Sequence, residues 1–231
     1  MDNLEFIAIP LRVIRAKAGN VFAAKNDKSV AETLTGRKYR TLAREVTQHH
    51  ADALQMPLGE FLAGLKATGN PLYRRFLNGY GDLEYLAFEP EFGIYAQSRG
   101  LYRYKLGGEV KYIGSATTTF RQRLRQGYGD ISPKNCYRDG QSTNCLLNAL
   151  ITLYWDQITF EICPLDGDDA EMLRLEEQLI RRSDPEWNHT YTTHKRKGIM
   201  QHFAHVGAGD ARPSRVRQDL EQGVLRHDHL V

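Results

Sequence analysis

No other stretch of the chain restricts its fold as much as GLYRYKLGGEVKYIGSATTTFRQRLR, which runs from Gly100 to Arg125. Two runs of alternating β-forming residues, Leu101 to Leu106 and Glu109 to Gly114, are separated only by Gly107-Gly108. Paired glycines accept the positive φ angles of a two-residue turn without a Cβ clash, so the spacing predicts an antiparallel hairpin. Alternate side chains of a strand share a face. Tyr102, Tyr104 and Leu106 therefore fall on one face of the first strand, and Val110 and Tyr112 on one face of the second. The small residues Gly114-Ser115-Ala116 end the hairpin, and Thr117 or Thr118 is placed to cap a helix. In that helix Phe120 and Leu124, one turn apart, form the buried side. Arg121 and Arg125 point away together, while Arg123 lies at the edge of the apolar side. Two tyrosines and a half-buried arginine are thus directed at one cleft.

The remainder predicts an α+β fold: a small antiparallel three-stranded sheet flanked by helices, with an N-terminal helical region and a C-terminal arm. Residues 1–85 form the helical region, a DNA-contacting or dimerisation part. In it Phe6 to Ile9 is an edge strand or an arm, Tyr39, Leu42, Ala43, Val46 and Leu54 make a helical stripe, and Pro57 opens a second helix bearing Leu58, Phe61, Leu62 and Leu65. Leu72 to Leu77 reads as one more short helix. Arg37, Lys38, Arg40 and Arg44 make either a DNA-contacting or a solvated face. Residues 81–99 read as a connector. Residues 86–190 hold the hairpin, a polar loop and helix at about 129–155 and a third strand, Ile158 to Cys163. The loop carries Tyr128, Lys134 and Arg138, suited to phosphate contacts or to solvent. Residues 191–231 are a basic arm with Lys195, Arg196 and Lys197, which either wraps nucleic acid or is a poorly ordered terminus. The net charge of +3 is too small to argue for nucleic acid by itself, so the distribution of charge matters more. No apolar run approaches the ~20 residues of a membrane span, and the N-terminus lacks the features of a signal peptide. A cytoplasmic protein without membrane contact is expected. Cys136, Cys145 and Cys163 form no Cys-x-x-Cys pair, which favours reduced thiols over disulfides or zinc.

One carboxylate stands where a helix should be apolar. At about 100° per residue, Met172, Leu173, Leu179 and Ile180 form a stripe with Glu176 at its centre and Glu177 toward solvent. A carboxylate on a buried face is costly unless a cation neutralises it. A divalent metal or an ion pair with Arg123 would do so. Tyrosines, an arginine and a single glutamate suit metal-assisted phosphodiester hydrolysis. No Ser-His-Asp set and no Walker pattern favours another chemistry.

With these residues in place the chain resembles the GIY-YIG nuclease family. Gly100-Leu101-Tyr102 and Tyr112-Ile113-Gly114 match the namesake motifs, and GSATTTFRQRL looks like the family's helix with Arg123 as its arginine. LEEQLIRR resembles the metal-binding helix, with Glu176 as its glutamate, and Asn188 in PEWN matches the later asparagine. A literal Gly93-Ile94-Tyr95 lies too far from Tyr112 for a tight hairpin and is set aside. Many members carry His or Tyr four residues after the arginine; here Gly127 holds that place and Tyr128 follows. The resemblance also makes the segment at about 129–155 look like an insertion into the family's minimal module, of the kind seen in restriction-enzyme-like members.

The resemblance implies a metal-dependent endonuclease acting on double-stranded DNA. Glu176 would hold one Mg²⁺ or Mn²⁺ per active site, and Tyr102 would orient or deprotonate water. Tyr112 and Arg123 would contact the scissile phosphate, Tyr128 would hold water or phosphate, and Asn188 would fix the loop after the glutamate helix. Lys111, Arg121, Arg125, Lys134, Arg138, Lys195, Arg196 and Lys197 are candidate DNA contacts. A sequence-specific type II restriction enzyme, working as a homodimer, is the expectation. A repair or mobile-element nuclease, and a non-catalytic DNA-binding protein on the same scaffold, are the alternatives.

Overall fold

The computed structural model describes residues 4–24, 28–125, 127–193 and 200–203. In chain order the strands are β1 (Ile7–Ala8), β2 (Leu11–Ala18), β3 (Tyr85–Pro90), β4 (Gly100–Leu106), β5 (Glu109–Ala116) and β6 (Ile158–Pro164). The helices are α1 (Val30–Leu34), α2 (Arg40–His49), α3 (Leu58–Ala67), α4 (Phe120–Arg125), α5 (Pro133–Cys136), α6 (Ser142–Leu153) and α7 (Asp169–Ser183), with short 3₁₀ turns between them. The architecture is mixed α+β. Among the described residues no helix is long and apolar enough to cross a membrane.

Two units form. The sheet unit comprises Met1–Ala16, Ala87–Gly129 and Leu153–Val231, and the helical unit comprises Lys17–Leu86 and Asp130–Thr152. This differs from the expected division at 85/86 with an insertion in the second part. The insertion belongs with the helical region because its polar groups are satisfied there. Tyr137 Oη donates to Phe22 O at 2.9 Å, and Asn78 Nδ2 donates to Asn135 O at 2.7 Å. Asn148 Nδ2 donates to Leu86 O at 2.8 Å. The expected stripes supply the helical core: Leu42, Val46, Leu58 and Leu62 are fully buried together with Phe22, Val30 and Phe76. Leu72 to Leu77 makes a 3₁₀ turn, Pro71–Phe76, in place of the expected helix.

The first residues join the sheet unit for a corresponding reason. β1 pairs antiparallel with β6, Ile7 opposite Ile162, and Arg103 lies 3.9 Å over the Phe6 ring. The expected three-stranded sheet therefore has a fourth, edge strand, in the order β1-β6-β4-β5. β2 and β3 form a separate two-stranded sheet, so the expected connector 81–99 holds a strand and a 3₁₀ turn, Gly93–Gln97. That turn contains Gly93-Ile94-Tyr95, with Ile94 87% exposed, well away from a strand's geometry.

The β4–β5 hairpin turns at Gly107 (φ 59°) and Gly108 (φ 88°), where positive φ favours glycine. Its ladder runs Leu106↔Glu109 and Lys105↔Val110, then Tyr104↔Tyr112, leaving Lys111 as an extra residue. Such a bulge shifts the alternation by one, so Val110 and Tyr112 lie on opposite faces rather than the expected shared one. Tyr102, Tyr104, Tyr112 and Gly114 share one face with Phe160; Leu101, Ile113 and Ser115 share the other with Cys163. α7 packs on the second face, where Met172 clusters with Leu101 and Cys163 and is flanked by Leu175 and Leu179. Leu173 does not belong to the buried stripe: it is 51% exposed, and Leu175 takes its part. Thr119 caps α4 in place of Thr117 or Thr118, its Oγ1 accepting from Gln122 N at 3.1 Å.

Candidate active site

The tyrosine face of β4 and β5 is built around one close approach. Tyr102 and Gly114 are cross-strand partners, and a Cβ on Gly114 would stand 2.5 Å from both Cζ and Oη of Tyr102. Glycine is required there because the Tyr102 ring lies over the neighbouring backbone. The fully buried ring contacts Tyr112 (6.1 Å between centroids), Tyr128 (6.3 Å) and Phe160 (6.1 Å). Tyr104 packs against Phe160 in a tilted arrangement, 4.8 Å between centroids. The Tyr102 hydroxyl is buried and, among the described residues, has no hydrogen-bond partner at ordinary distance.

α4 brings Arg123 to this face. Phe120 and Leu124 are buried and fix the helix, and Arg123 between them is half-buried. No carboxylate among the described residues lies within 4 Å of its guanidinium. Its pKa is raised, first by the negative charge Tyr102 carries when ionised, against the opposing effect of burial. Arg123 is a cation at every working pH. The chain then closes tightly: a Cβ on Gly127 would sit 2.4 Å from Arg123 O. The His or Tyr found here in the resembled family therefore has no room at Gly127. Tyr128 instead enters the aromatic cluster, buried against Phe88, Tyr102 and Tyr104.

Burial raises the phenol pKa of Tyr104, Tyr112 and Tyr128 well above the usual value. These three are neutral hydrogen-bond donors near neutral pH. For Tyr112, Tyr102 and Glu176 add to the rise while Arg123 opposes it.

Glu176 reaches the site from the other face of the sheet. It is half-buried on α7, and Ser115 Oγ donates to its Oε2 at 2.6 Å. Burial raises its pKa; the Ser115 hydrogen bond and then the Arg123 charge act in the opposite sense. Glu176 and Arg123 sense each other without forming an ion pair, so the alternative of a buried Arg123–Glu176 bridge is not what the geometry contains. The four side chains meet around β5, which is an edge strand. Ser115 was missed by sequence reasoning, where it passed as one of three small residues ending a strand. The alternation itself places it on the side that faces α7.

Asn188 closes that edge. Its Oδ1 accepts from Ile113 N at 3.0 Å and its Nδ2 donates to Ile113 O at 2.8 Å, as a neighbouring strand would. Trp187 N donates to Lys111 O at 2.8 Å. Asn188→Ala removes both bonds and leaves two buried backbone groups unpaired; a loss of about 2–4 kcal/mol is expected, read as a lower urea midpoint.

The candidate DNA contacts divide. Lys111 is not a free cation: it pairs with Glu109 at 3.0 Å and Glu186 at 3.3 Å, because the bulge turns it toward the segment after α7. A cleft of about 480 Å³ beside it is lined by Glu109, Val110, Lys111, Ser183, Asp184 and Glu186 and shares no member with the tyrosine–arginine–glutamate set. Arg121 and Arg125 are exposed on α4. Lys134 and Arg138 are exposed and belong to the helical unit. Lys195, Arg196 and Lys197 lie outside the described residues.

Among the described residues no three or more His, Cys, Asp or Glu side chains gather as a metal cage. A single carboxylate completed by water and substrate phosphate suffices for a hard cation such as Mg²⁺. Glu176 fits that requirement: its charge is half-buried, its Oε2 is oriented by Ser115, and among the described residues no side-chain cation pairs with it. Comparisons with family models, curated proteins and solved structures give no match to this chain.

Proposed function

We propose that the chain is a divalent-metal-dependent endonuclease of the GIY-YIG kind that hydrolyses phosphodiester bonds in duplex DNA, acting as a type II restriction enzyme. One observation carries this above all. Tyr102 and Tyr112 from the hairpin, Arg123 from α4 and Glu176 from α7 converge, with the Tyr102 hydroxyl and the Glu176 charge both left without a full partner. Buried, incompletely compensated ionisable groups are a usual mark of functional sites.

Each residue has a chemical part. The Arg123 guanidinium donates to the non-bridging oxygens as negative charge builds on the phosphorus. Tyr112, kept protonated by burial, donates a further hydrogen bond to the same group. Tyr102 Oη orients the attacking water by a hydrogen bond. Glu176 holds Mg²⁺ or Mn²⁺, which supplies Lewis acidity to the phosphate when bound. Tyr128 supports the Tyr102 ring, and Asn188 holds β5 in place. One chain carries one such set, so cutting both strands calls for two chains, in keeping with a homodimer on a palindromic site.

Incubation with a panel of plasmids in Mg²⁺, followed by sequencing of fragment ends, tests the assignment. Discrete fragments with a common end sequence are expected. Preference for branched or damaged DNA would point to repair, and mobility shifts without cleavage would refute nuclease activity.

Ser115→Ala provides a finer check. The hydrogen bond from Ser115 lowers the Glu176 pKa, so its loss raises that pKa further. The acid limb of the pH–rate profile for DNA cleavage is then expected to move to higher pH, with the alkaline limb unchanged. An unmoved acid limb would mean that Glu176 ionisation does not govern the rate.

A further inference from the structure

Most cations near the strands of the sheet unit are matched. Arg99 pairs with Asp169, Arg103 and Lys105 with Glu161, and Lys111 with Glu109 and Glu186. One face of the helical unit is built differently. Arg37, Lys38, Arg40 and Arg44 are exposed along the 3₁₀ turn Arg37–Tyr39 and α2, and Lys134 and Arg138 are exposed in the segment that returns about a hundred residues later. None of these six is ion-paired to a carboxylate among the described residues.

Specific hydrogen bonds bring the two segments together. Tyr39 Oη donates to the Asp139 carboxylate and accepts from Asp139 N. Lys38 Nζ donates to Arg138 O at 3.3 Å, and Arg138 N donates to Phe76 O at 2.7 Å. The Phe76 ring in turn stacks on Tyr39 at 5.9 Å. The neighbouring acids are occupied: Asp139 by Tyr39, and Glu45 by Arg75. Arg40 and Arg44, one helical turn apart, project opposite the buried Leu42 and Val46. Their axial spacing of about 6 Å spans roughly two phosphates of a duplex strand.

The partner follows from what this face has and lacks. Guanidinium forks suit phosphate oxygens. The aromatic rings nearby, Tyr39 and Phe76, are buried, so among the described residues there is no stacking platform for unpaired bases. No large exposed hydrophobic lies on this face, among the described residues, to form the apolar centre of a protein interface. We propose that this face of the helical unit is a second, non-catalytic grip on the phosphate backbone of duplex DNA, assembled from α2 and the 130–152 segment. It rests on duplex DNA being the substrate.

The test is anisotropy of a labelled duplex bound by the full chain in EDTA, titrated from 50 to 200 mM KCl. Removing one cation that neutralises a phosphate makes the slope of log K against log salt shallower by about 0.9. Arg40→Gln/Arg44→Gln is expected to lower the slope by about 1.8, narrowing the affinity change across that range by about twelvefold. Adding Arg138→Gln, from the other segment, is expected to lower it by a further ~0.9. Arg181→Gln, whose arginine pairs with Glu177 on α7, is expected to leave the slope unchanged. An unchanged slope in the folded double variant, an equal change in Arg181→Gln, or tighter binding of a single strand of equal length would overturn the proposal. Because EDTA prevents metal-dependent cleavage, the two assignments fail separately. A reduced slope with no cleavage in Mg²⁺ refutes the nuclease alone, and cleavage with an unchanged slope refutes the grip alone.

Discussion

Glu176→Gln is expected to abolish DNA cleavage and to stabilise the fold in the same substitution. The catalytic loss follows from the proposed role of Glu176: among the described residues it is the carboxylate beside Arg123 and Tyr112 that would hold a divalent cation. A fall of about a thousandfold or more, ~4 kcal/mol in the barrier, is expected. The stability gain follows from proton linkage. Burial raises the Glu176 pKa above its ordinary 4.5. Between the unfolded and folded pKa values the native state holds more protons than the unfolded chain, so stability falls as pH climbs through that window. Above it the full cost of the buried charge is present, and glutamine removes it. Urea midpoints should therefore favour Glu176→Gln at pH 7 and converge with wild type below the ordinary carboxylate pKa, where both states hold the proton. A glutamine variant that cuts in Mg²⁺ at the wild-type rate would sink the role given to Glu176. One less stable than wild type at pH 7 would sink the account of its burial.

The second large effect belongs to Gly114→Ala. The added methyl meets Cζ and Oη of Tyr102 at 2.5 Å, and that ring is enclosed by Tyr112, Tyr128 and Phe160. Overpacking of this kind costs about 1–3 kcal/mol. Cleavage should fall further than stability, because what yields is the ring proposed to orient the water. The cause can be isolated. In a Tyr102→Ala background the three atoms nearest that methyl are gone, and Gly114→Ala should cost little or stabilise slightly, since alanine restricts the unfolded chain more than glycine does. Strong coupling in the double-mutant cycle is the expected outcome; additive effects would place the clash elsewhere.

Local pattern made much of the sheet unit legible. Gly107-Gly108 located the hairpin, alternation put Tyr102 and Tyr104 on one face, and spacing selected Tyr102 over Tyr95, which lies in a 3₁₀ turn. Glu176 was visible as a charge inside an apolar stripe, though the stripe runs through Leu175 rather than Leu173. What escaped depends on partners distant in sequence or on irregular backbone. The bulge at Lys111 has no period, so alternation alone puts Val110 and Tyr112 on one face, and no local pattern shows that Glu186 neighbours Lys111. The place of β1 beside β6 and of the insertion beside the helical region arises from long-range pairing that no local window contains. Alternation gives the face of Ser115 but not what lies opposite it, because α7 is distant in sequence.

The pairing of β1 also bears on synthesis. Ile7 leaves the ribosome about 155 residues before Ile162, and at 5–20 residues per second that interval is roughly 10–30 s. During it the nascent chain presents Phe6-Ile7-Ala8-Ile9 with its backbone unpaired, the kind of exposed apolar edge that recruits other chains. The last strand of the sheet to be seated is thus the first to be made, and the yield of soluble protein should depend on how well that segment is shielded until β6 emerges.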